Sequence, residues 1–165
     1  MIISGALARI IPHAPNFAPI AAMALFGGVY LNKKYAIIIP LAAMFVSDIF
    51  LGFHQSMPYV YGSFALTGFI GMWLRNHKSF INILGGTVLA SVLFFLITNF
   101  GFWLTFSLYP KTFAGQMEAY VMALPFFRNT LLGNLFYTGV LFGTYEAVLL
   151  IVKTKSQSSK LRVKS

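Results

Sequence analysis

Apolar residues along this chain fall into long blocks, and most charged residues lie in the gaps between them. The longest blocks cover residues 35–53, 80–108 and 131–152. A helix needs about 20 apolar residues to cross the roughly 30 Å hydrocarbon core of a bilayer, and these blocks reach that length. The blocks at 17–31 and 59–74 are shorter and carry no charge. The pattern predicts an all-α membrane protein.

The first segment, residues 1–11, is also apolar. As a helix it would be about 16 Å long, too short to cross a bilayer alone. With this segment included, we predict a bundle of five to six transmembrane helices within residues 1–152, followed by a basic tail at 153–165. The predicted helices cover approximately 1–11, 17–31, 35–53, 59–74, 80–108 and 131–152.

The composition agrees with membrane insertion. Hydrophobic residues make up 58% of the chain and charged residues 9%, whereas a soluble domain carries about 25% charged residues. The net charge of +9 could suggest nucleic acid, but the basic residues lie at block ends and in the tail. That placement is typical of anchoring beside anionic lipid, so we expect no nucleic-acid partner.

The basic residues also predict an orientation. Nine of the twelve Lys and Arg residues lie in the gaps 32–34 and 75–78 and in the tail. Lys and Arg are enriched on the cytoplasmic side of membrane proteins, so we place these gaps inside. The expected location is the bacterial cytoplasmic membrane, crossed several times, with the C-terminus in the cytoplasm. The gaps near residues 12–16, 54–58 and 109–130 then face outward.

Asp48 is a lone carboxylate inside an apolar block, near its predicted outer end. A charge there costs about 2.5–3.5 kcal/mol on insertion scales, so it should face a partner or a wet cavity. It could contact a ligand, form a structural ion pair, for example with Arg128, or reach interfacial water. Other polar residues are predicted at the same level, which favours an outer ligand site. The candidate ligand-binding residues are His13, Asn16, Asp48, His54, Arg128, Asn129 and Asn134.

Small residues four positions apart let helices approach closely, because packing rather than the hydrophobic effect drives association in lipid. Two such pairs, Ala18 with Ala22 and Gly139 with Gly143, are the candidate faces for docking a partner protein. A third packing signal is the stripe of Thr87, Ser91 and Thr98, for which we expect interhelical hydrogen bonds.

Chemistry typical of enzymes is absent from the sequence. The chain has no cysteine and no phosphate-binding glycine loop followed by Lys and Ser or Thr. We find no cluster at metal-ligand spacing and no catalytic triad, so we expect no metal, no cofactor and no enzymatic activity. Glu146 continues the face of Gly139 and Gly143 near the inner end, where a structural or partner contact is favoured over a proton relay.

Three stretches together resemble a group of uncharacterised bacterial membrane proteins related to the substrate-capture (S) components of energy-coupling-factor transporters. They are Pro12-His-Ala-Pro-Asn-Phe-Ala-Pro-Ile-Ala-Ala-Met-Ala-Leu-Phe-Gly-Gly28, Ser47-Asp-Ile-Phe-Leu-Gly-Phe53 and Arg128-Asn-Thr-Leu-Leu-Gly-Asn-Leu-Phe-Tyr137. The resemblance covers most of the chain from Arg9 to Ile151.

The resemblance implies a six-helix bundle that holds a vitamin-like or metal substrate near its extracellular face. It also implies docking onto a transmembrane coupling subunit driven by two cytoplasmic ATPases. We therefore expect the substrate-binding subunit of an uptake transporter for a small molecule. Two other hypotheses remain open: a structural or scaffolding protein of the cell envelope without transport activity, and an intramembrane enzyme that uses Asp48.

Overall fold

The computed structural model describes the backbone of residues 1–11 and 15–164, with side chains as far as Ser156. The described chain is helical and contains no strand, so the predicted all-α class is confirmed. The helices are α1 (Ile2–Ile10), α2 (Ile20–Tyr30), α3 (Lys33–Leu51), α4 (Met57–Leu74), α5 (Phe80–Thr105) and α6 (Phe113–Lys164). We call the end where α3 passes to α4 the upper end, and the end where α4 passes to α5 the lower end.

Helix α2 lies at the centre of the bundle. Every residue from Ile20 to Val29 is buried, and the helix contacts α3, α4, α5 and α6. Small residues allow this position: a Cβ added at Gly28 would lie 2.5 Å from the Cα of Gly71 in α4. The backbones of α2 and α4 therefore touch directly, without side chains between them.

Helix α1 packs beside the upper half of α3. A Cβ added at Gly5 would lie 3.3 Å from the Cβ of Ala43 and would collide with the side chain of Met23. Farther along, Arg9 reaches the carbonyl of Met44 in α3. The two helices run in the same direction, because later residues of α1 meet later residues of α3. The side chain of Arg9 thereby enters the bundle near the upper end.

Helices α5 and α6 form a long antiparallel hairpin. Thr87 Oγ1 lies 3.4 Å from Thr138 Oγ1, and Asn134 Nδ2 donates to Ser91 Oγ at 2.9 Å. The predicted interhelical hydrogen bonds are therefore confirmed for Thr87 and Ser91. Thr98 instead donates to the carbonyl of Phe94 in its own helix.

The predicted start of the last helix at residue 131 is wrong. Helix α6 begins at Phe113 and contains Pro125, so most of the predicted 109–130 connection is helical. A backbone in apolar surroundings must satisfy its hydrogen bonds internally, which favours continuing the helix through a proline. A hydrogen bond holds the turn between α5 and α6 to the end of α5: Trp103 Nε1 donates to the carbonyl of Pro110 at 2.9 Å.

Three helices, α3, α5 and residues 113–156 of α6, are long and apolar enough to cross a membrane. The other helices of the predicted five to six are not among them: α1 and α2 have only 9 and 11 residues, and α4 has 18 residues but is less apolar. The outer faces of the bundle carry many large apolar side chains, as expected where lipid is the solvent. Prominent examples are Ile3, Phe50, Phe80, Ile81, Phe113 and Leu150.

Candidate functional site: a cavity at the upper end of the bundle

A cavity of about 580 Å³ lies at the upper end of the bundle, at the start of α2. Helix α2 begins only at Ile20 and therefore leaves the upper part of the bundle axis unfilled. Ile20 and Ala21 line the cavity together with residues of α3, α4, α5 and α6. Pockets for small molecules measure about 300–1,000 Å³, so this one has the size of a ligand site.

The cavity wall combines aromatic and polar side chains. The phenyl rings come from α4, α5 and α6, and two of them, Phe95 and Phe127, contact each other with centroids 4.9 Å apart. The polar groups converge from several different elements of the fold. The polar lining residues are Arg9, Asn16, His54, Ser56, Thr98, Asn99, Tyr109, Thr130 and Asn134.

A buried polar cluster supports one side of this wall. Arg9 Nη1 donates to Asp48 Oδ1 at 2.8 Å and also to Ser47 Oγ. Tyr61 Oη donates to Asp48 Oδ2 at 2.7 Å. Asp48 is 1% exposed, and both of its oxygens are occupied. The cluster joins α1, α3 and α4, and it leaves the guanidinium of Arg9 at the cavity surface.

Three of the predicted ligand-binding residues, Asn16, His54 and Asn134, line the cavity. Asn16 is exposed and has a positive φ of 63°, a conformation that asparagine adopts more readily than most residues. His54 Nδ1 lies 2.9 Å from Ser56 Oγ. Asn134 is 3% exposed, and its Oδ1 accepts no hydrogen bond from the described residues.

The other predicted ligand-binding residues lie elsewhere. Asp48 lies behind the wall, and its ion-pair partner is Arg9 rather than Arg128. Arg128 and Asn129 lie within α6, not just before the last helix as its predicted start at residue 131 implied, and they do not line the cavity. His13 falls outside the described residues.

Arg9 is the charged residue of the cavity wall, and it was not predicted from the sequence as a ligand-binding residue. It is the single basic residue of the first apolar segment, as Asp48 is the single acid of its own block. Two opposite charges isolated in apolar segments indicate a buried pair, since each would otherwise lack compensation. Thr98, Asn99 and Thr130 also line the cavity, and no sequence signal separated them from packing residues.

The two candidate docking faces differ in the structure. Ala22 is fully buried in the core and Ala18 lines the cavity, so the prediction of a docking face there is wrong. The reason is that α2 lies inside the bundle. Gly139 and Gly143 are exposed, and a Cβ added at either would meet nothing within 4 Å. Their face of α6 is open to another helix.

The lower end is closed by a second polar cluster. Glu146 accepts hydrogen bonds from Lys78 and Tyr30, and these contacts raise the pKa of Lys78, the bond to Glu146 contributing most. Arg75 donates to the carbonyl of Gly28 at 2.7 Å and thereby caps the end of α2. The contacts of Glu146 tie α6 to the lower turn, which fits the structural role favoured for this residue.

The described residues contain no group of three or more His, Cys, Asp or Glu side chains able to hold a metal ion. The cavity polar groups are mainly amides, hydroxyls and one guanidinium, which suit hydrogen bonding to an organic ligand better than metal coordination. No curated protein and no solved structure matches this chain. A family model described as a family of unknown function, DUF6580, matches residues 1–158, and the chain belongs to that family.

Proposed function

We propose that this protein is the substrate-binding membrane subunit of an energy-coupling-factor type uptake transporter for a small molecule. The observation that carries the proposal is the cavity at the upper end of the bundle, built because α2 is short and central. A protein with a purely scaffolding role has no need for a ligand-sized cavity ringed by polar groups from three helices and three connecting segments. The sequence resemblance to S components supports the same function.

The ligand-binding part of the proposal is tested by filling the cavity. Ala123 is 7% exposed and lines the cavity, so Ala123→Phe places a ring where the ligand would lie. Ala147 is exposed on the same helix, and Ala147→Phe is the matched control. We expect native mass spectrometry to detect a co-purifying small molecule with the wild type and the control, and none with Ala123→Phe. Equal occupancy of all three proteins would contradict a ligand site in this cavity.

The proposed partners are a transmembrane coupling subunit and its two cytoplasmic ATPases, because the chain has no nucleotide-binding motif of its own. The open face at Gly139 and Gly143 is the proposed contact for the coupling subunit. Gly143→Leu should abolish co-purification with that subunit while ligand retention persists. Gly85→Leu is the matched control, since Gly85 also has nothing within 4 Å of an added Cβ. Loss of co-purification with both variants, or with neither, would place docking elsewhere.

The proposed location is the bacterial cytoplasmic membrane, with the C-terminus in the cytoplasm and the cavity facing outward. The support is the concentration of nine of twelve basic residues at the lower turns and in the tail. A reporter enzyme fused after Ser165 that is active only in the periplasm should remain inactive. High periplasmic activity would reverse the orientation and turn the cavity towards the cytoplasm.

A further inference from the structure

The charge lining the cavity has one sign. The chain contains only three acidic residues, and none of them lines the cavity. Asp48 is bound by Arg9 and Tyr61, Glu146 is held by Lys78 at the lower end, and Glu118 lies on the exposed side of α6. Arg9 is therefore the one fully charged residue on the described cavity wall.

Arg9 has hydrogen-bonding capacity left for a ligand. Its contacts with Met44, Ser47 and Asp48 all use Nη1. Its Nε and Nη2 groups make no hydrogen bond within the described part of the chain, although the side chain is only 18% exposed. A guanidinium donates through five N–H groups and prefers planar, bidentate acceptors such as carboxylates.

The start of α2 adds donors at the same place. The helix has no side-chain cap at Pro19, and the first N–H that bonds to the cap is that of Met23. The N–H groups of Ile20, Ala21 and Ala22 have no acceptor among the described residues. Such a helix start carries a partial positive charge and favours an anion. Arg9, Ile20 and Ala21 all line the cavity, so both sets of donors border the same space.

Asn134 adds a polar group to the cavity wall. It lines the cavity, and its Nδ2 donates to Ser91 Oγ at 2.9 Å. Its Oδ1 accepts no hydrogen bond from the described residues, so a ligand donor can bond to it. The rest of the wall is largely aromatic, with Phe94, Phe95, Phe102 and Phe126 among the lining residues, and suits a planar apolar group.

We propose that the cavity selects a small planar organic anion, with its carboxylate at Arg9 and the start of α2 and its ring among the phenyl side chains of α5 and α6. This inference rests on the proposed function and specifies its substrate class. The decisive property is the negative charge of the ligand, because a carboxylate added to the cavity wall should repel it. A like charge within several ångströms at a partly buried site weakens binding by about tenfold or more.

The test uses the full chain in lipid nanodiscs and three probes that share one ring system: 2-naphthoate, the neutral 2-naphthylmethanol and the cationic 2-naphthylmethylammonium. Equilibrium dialysis, corrected with empty nanodiscs, measures the affinity of each probe. We expect naphthoate to bind at least about tenfold more tightly than the other two, as expected for a charge-assisted contact. Asn16→Asp and Asn134→Asp should weaken naphthoate binding by about tenfold or more, and should weaken naphthylmethanol binding by a clearly smaller factor, because the neutral probe carries no charge for the new carboxylate to repel.

Asn76→Asp is the matched control, because Asn76 is exposed in the lower turn, away from the cavity. Asn16 is exposed too, so Asn16→Asp decides the matter if Asn134→Asp fails to fold. Preferential binding of the neutral or cationic probe would overturn the anion assignment and leave the binding function intact. Binding of none of the probes would overturn both. An equal loss with Asn76→Asp would overturn the assignment, since the charge would then act from outside the cavity.

Discussion

Removing one hydroxyl group with Tyr61→Phe isolates the hydrogen bond that joins α4 to the buried Arg9–Asp48 pair. Tyr61 Oη donates to Asp48 Oδ2 at 2.7 Å, while Arg9 occupies Oδ1. Asp48 is 1% exposed, so water cannot replace the lost donor without opening the bundle. The variant therefore leaves half of a buried carboxylate without a partner.

The expected cost follows from this geometry. A hydrogen bond to a charged group contributes about 1.5–3 kcal/mol, and a buried acceptor left unpaired loses its desolvation energy as well. We expect Tyr61→Phe to lower the free energy of unfolding by about 2–3 kcal/mol. Tyr59→Phe is the matched control on the same helix. The hydroxyl of Tyr59 makes no hydrogen bond within the described residues, so its removal should change stability by less than about 0.5 kcal/mol.

The assay is unfolding of the purified protein in mixed micelles by titration with dodecyl sulfate, followed by far-ultraviolet circular dichroism. Repeating Tyr61→Phe in an Asp48→Asn background completes a double-mutant cycle. Its cost should shrink there, because the acceptor is no longer a carboxylate. Equal costs for the Tyr61 and Tyr59 variants would refute the reasoning. So would a Tyr61→Phe cost that is unchanged when Asp48 is replaced.

Two further predictions concern packing and pH. Gly28→Ala should destabilise the protein by about 1–3 kcal/mol, since the added Cβ would collide with the backbone of α4. Gly85→Ala lies on an open face and should stabilise the protein by up to about 1 kcal/mol. The dodecyl sulfate titration measures both variants, and equal effects would contradict the close contact between α2 and α4. The pKa of Lys78 is raised above its ordinary value in the folded state by its bond to Glu146, so its stabilising contribution is complete below the ordinary lysine pKa of about 10.4 and is lost as the pH rises through the folded value. The thermal unfolding midpoint of the wild type should therefore fall more steeply than that of Lys78→Met as the pH rises above about 10.4. Parallel curves for the two proteins would show that the Lys78–Glu146 pair does not contribute to stability.

The sequence alone determined the helical class and most helix positions. A continuous apolar block bounded by polar residues predicts the ends of a helix to within a few residues. The reason is that lipid offers no water to the backbone, so its N–H and C=O groups must bond within the helix. The predicted segments 35–53, 59–74 and 80–108 correspond to α3, α4 and α5, and each end is either identical or shifted by two or three residues. The connection predicted at 109–130 contains Pro110, Gly115 and Pro125, yet α6 already begins at Phe113, because a proline within a membrane helix is tolerated.

The sequence also indicated that Asp48 needs a partner or a wet cavity, since an isolated charge in an apolar block is costly. It did not identify that partner. Arg128 was suggested from its expected depth, but α6 carries it elsewhere and Arg9 of α1 reaches the carboxylate instead. Which charges meet depends on the relative depth and rotation of helices far apart in the chain, and a local pattern contains neither quantity.

The position of α2 at the centre of the bundle was decided by the tertiary structure. A helix that is apolar on every side reads the same whether lipid or protein surrounds it. Only the packed structure shows that protein surrounds α2, that Ala22 is therefore core rather than a docking face, and that the short helix leaves a cavity above Ile20. The sequence supplied Asn16, His54 and Asn134 as candidates, and the length and depth of α2 determined that they line one cavity.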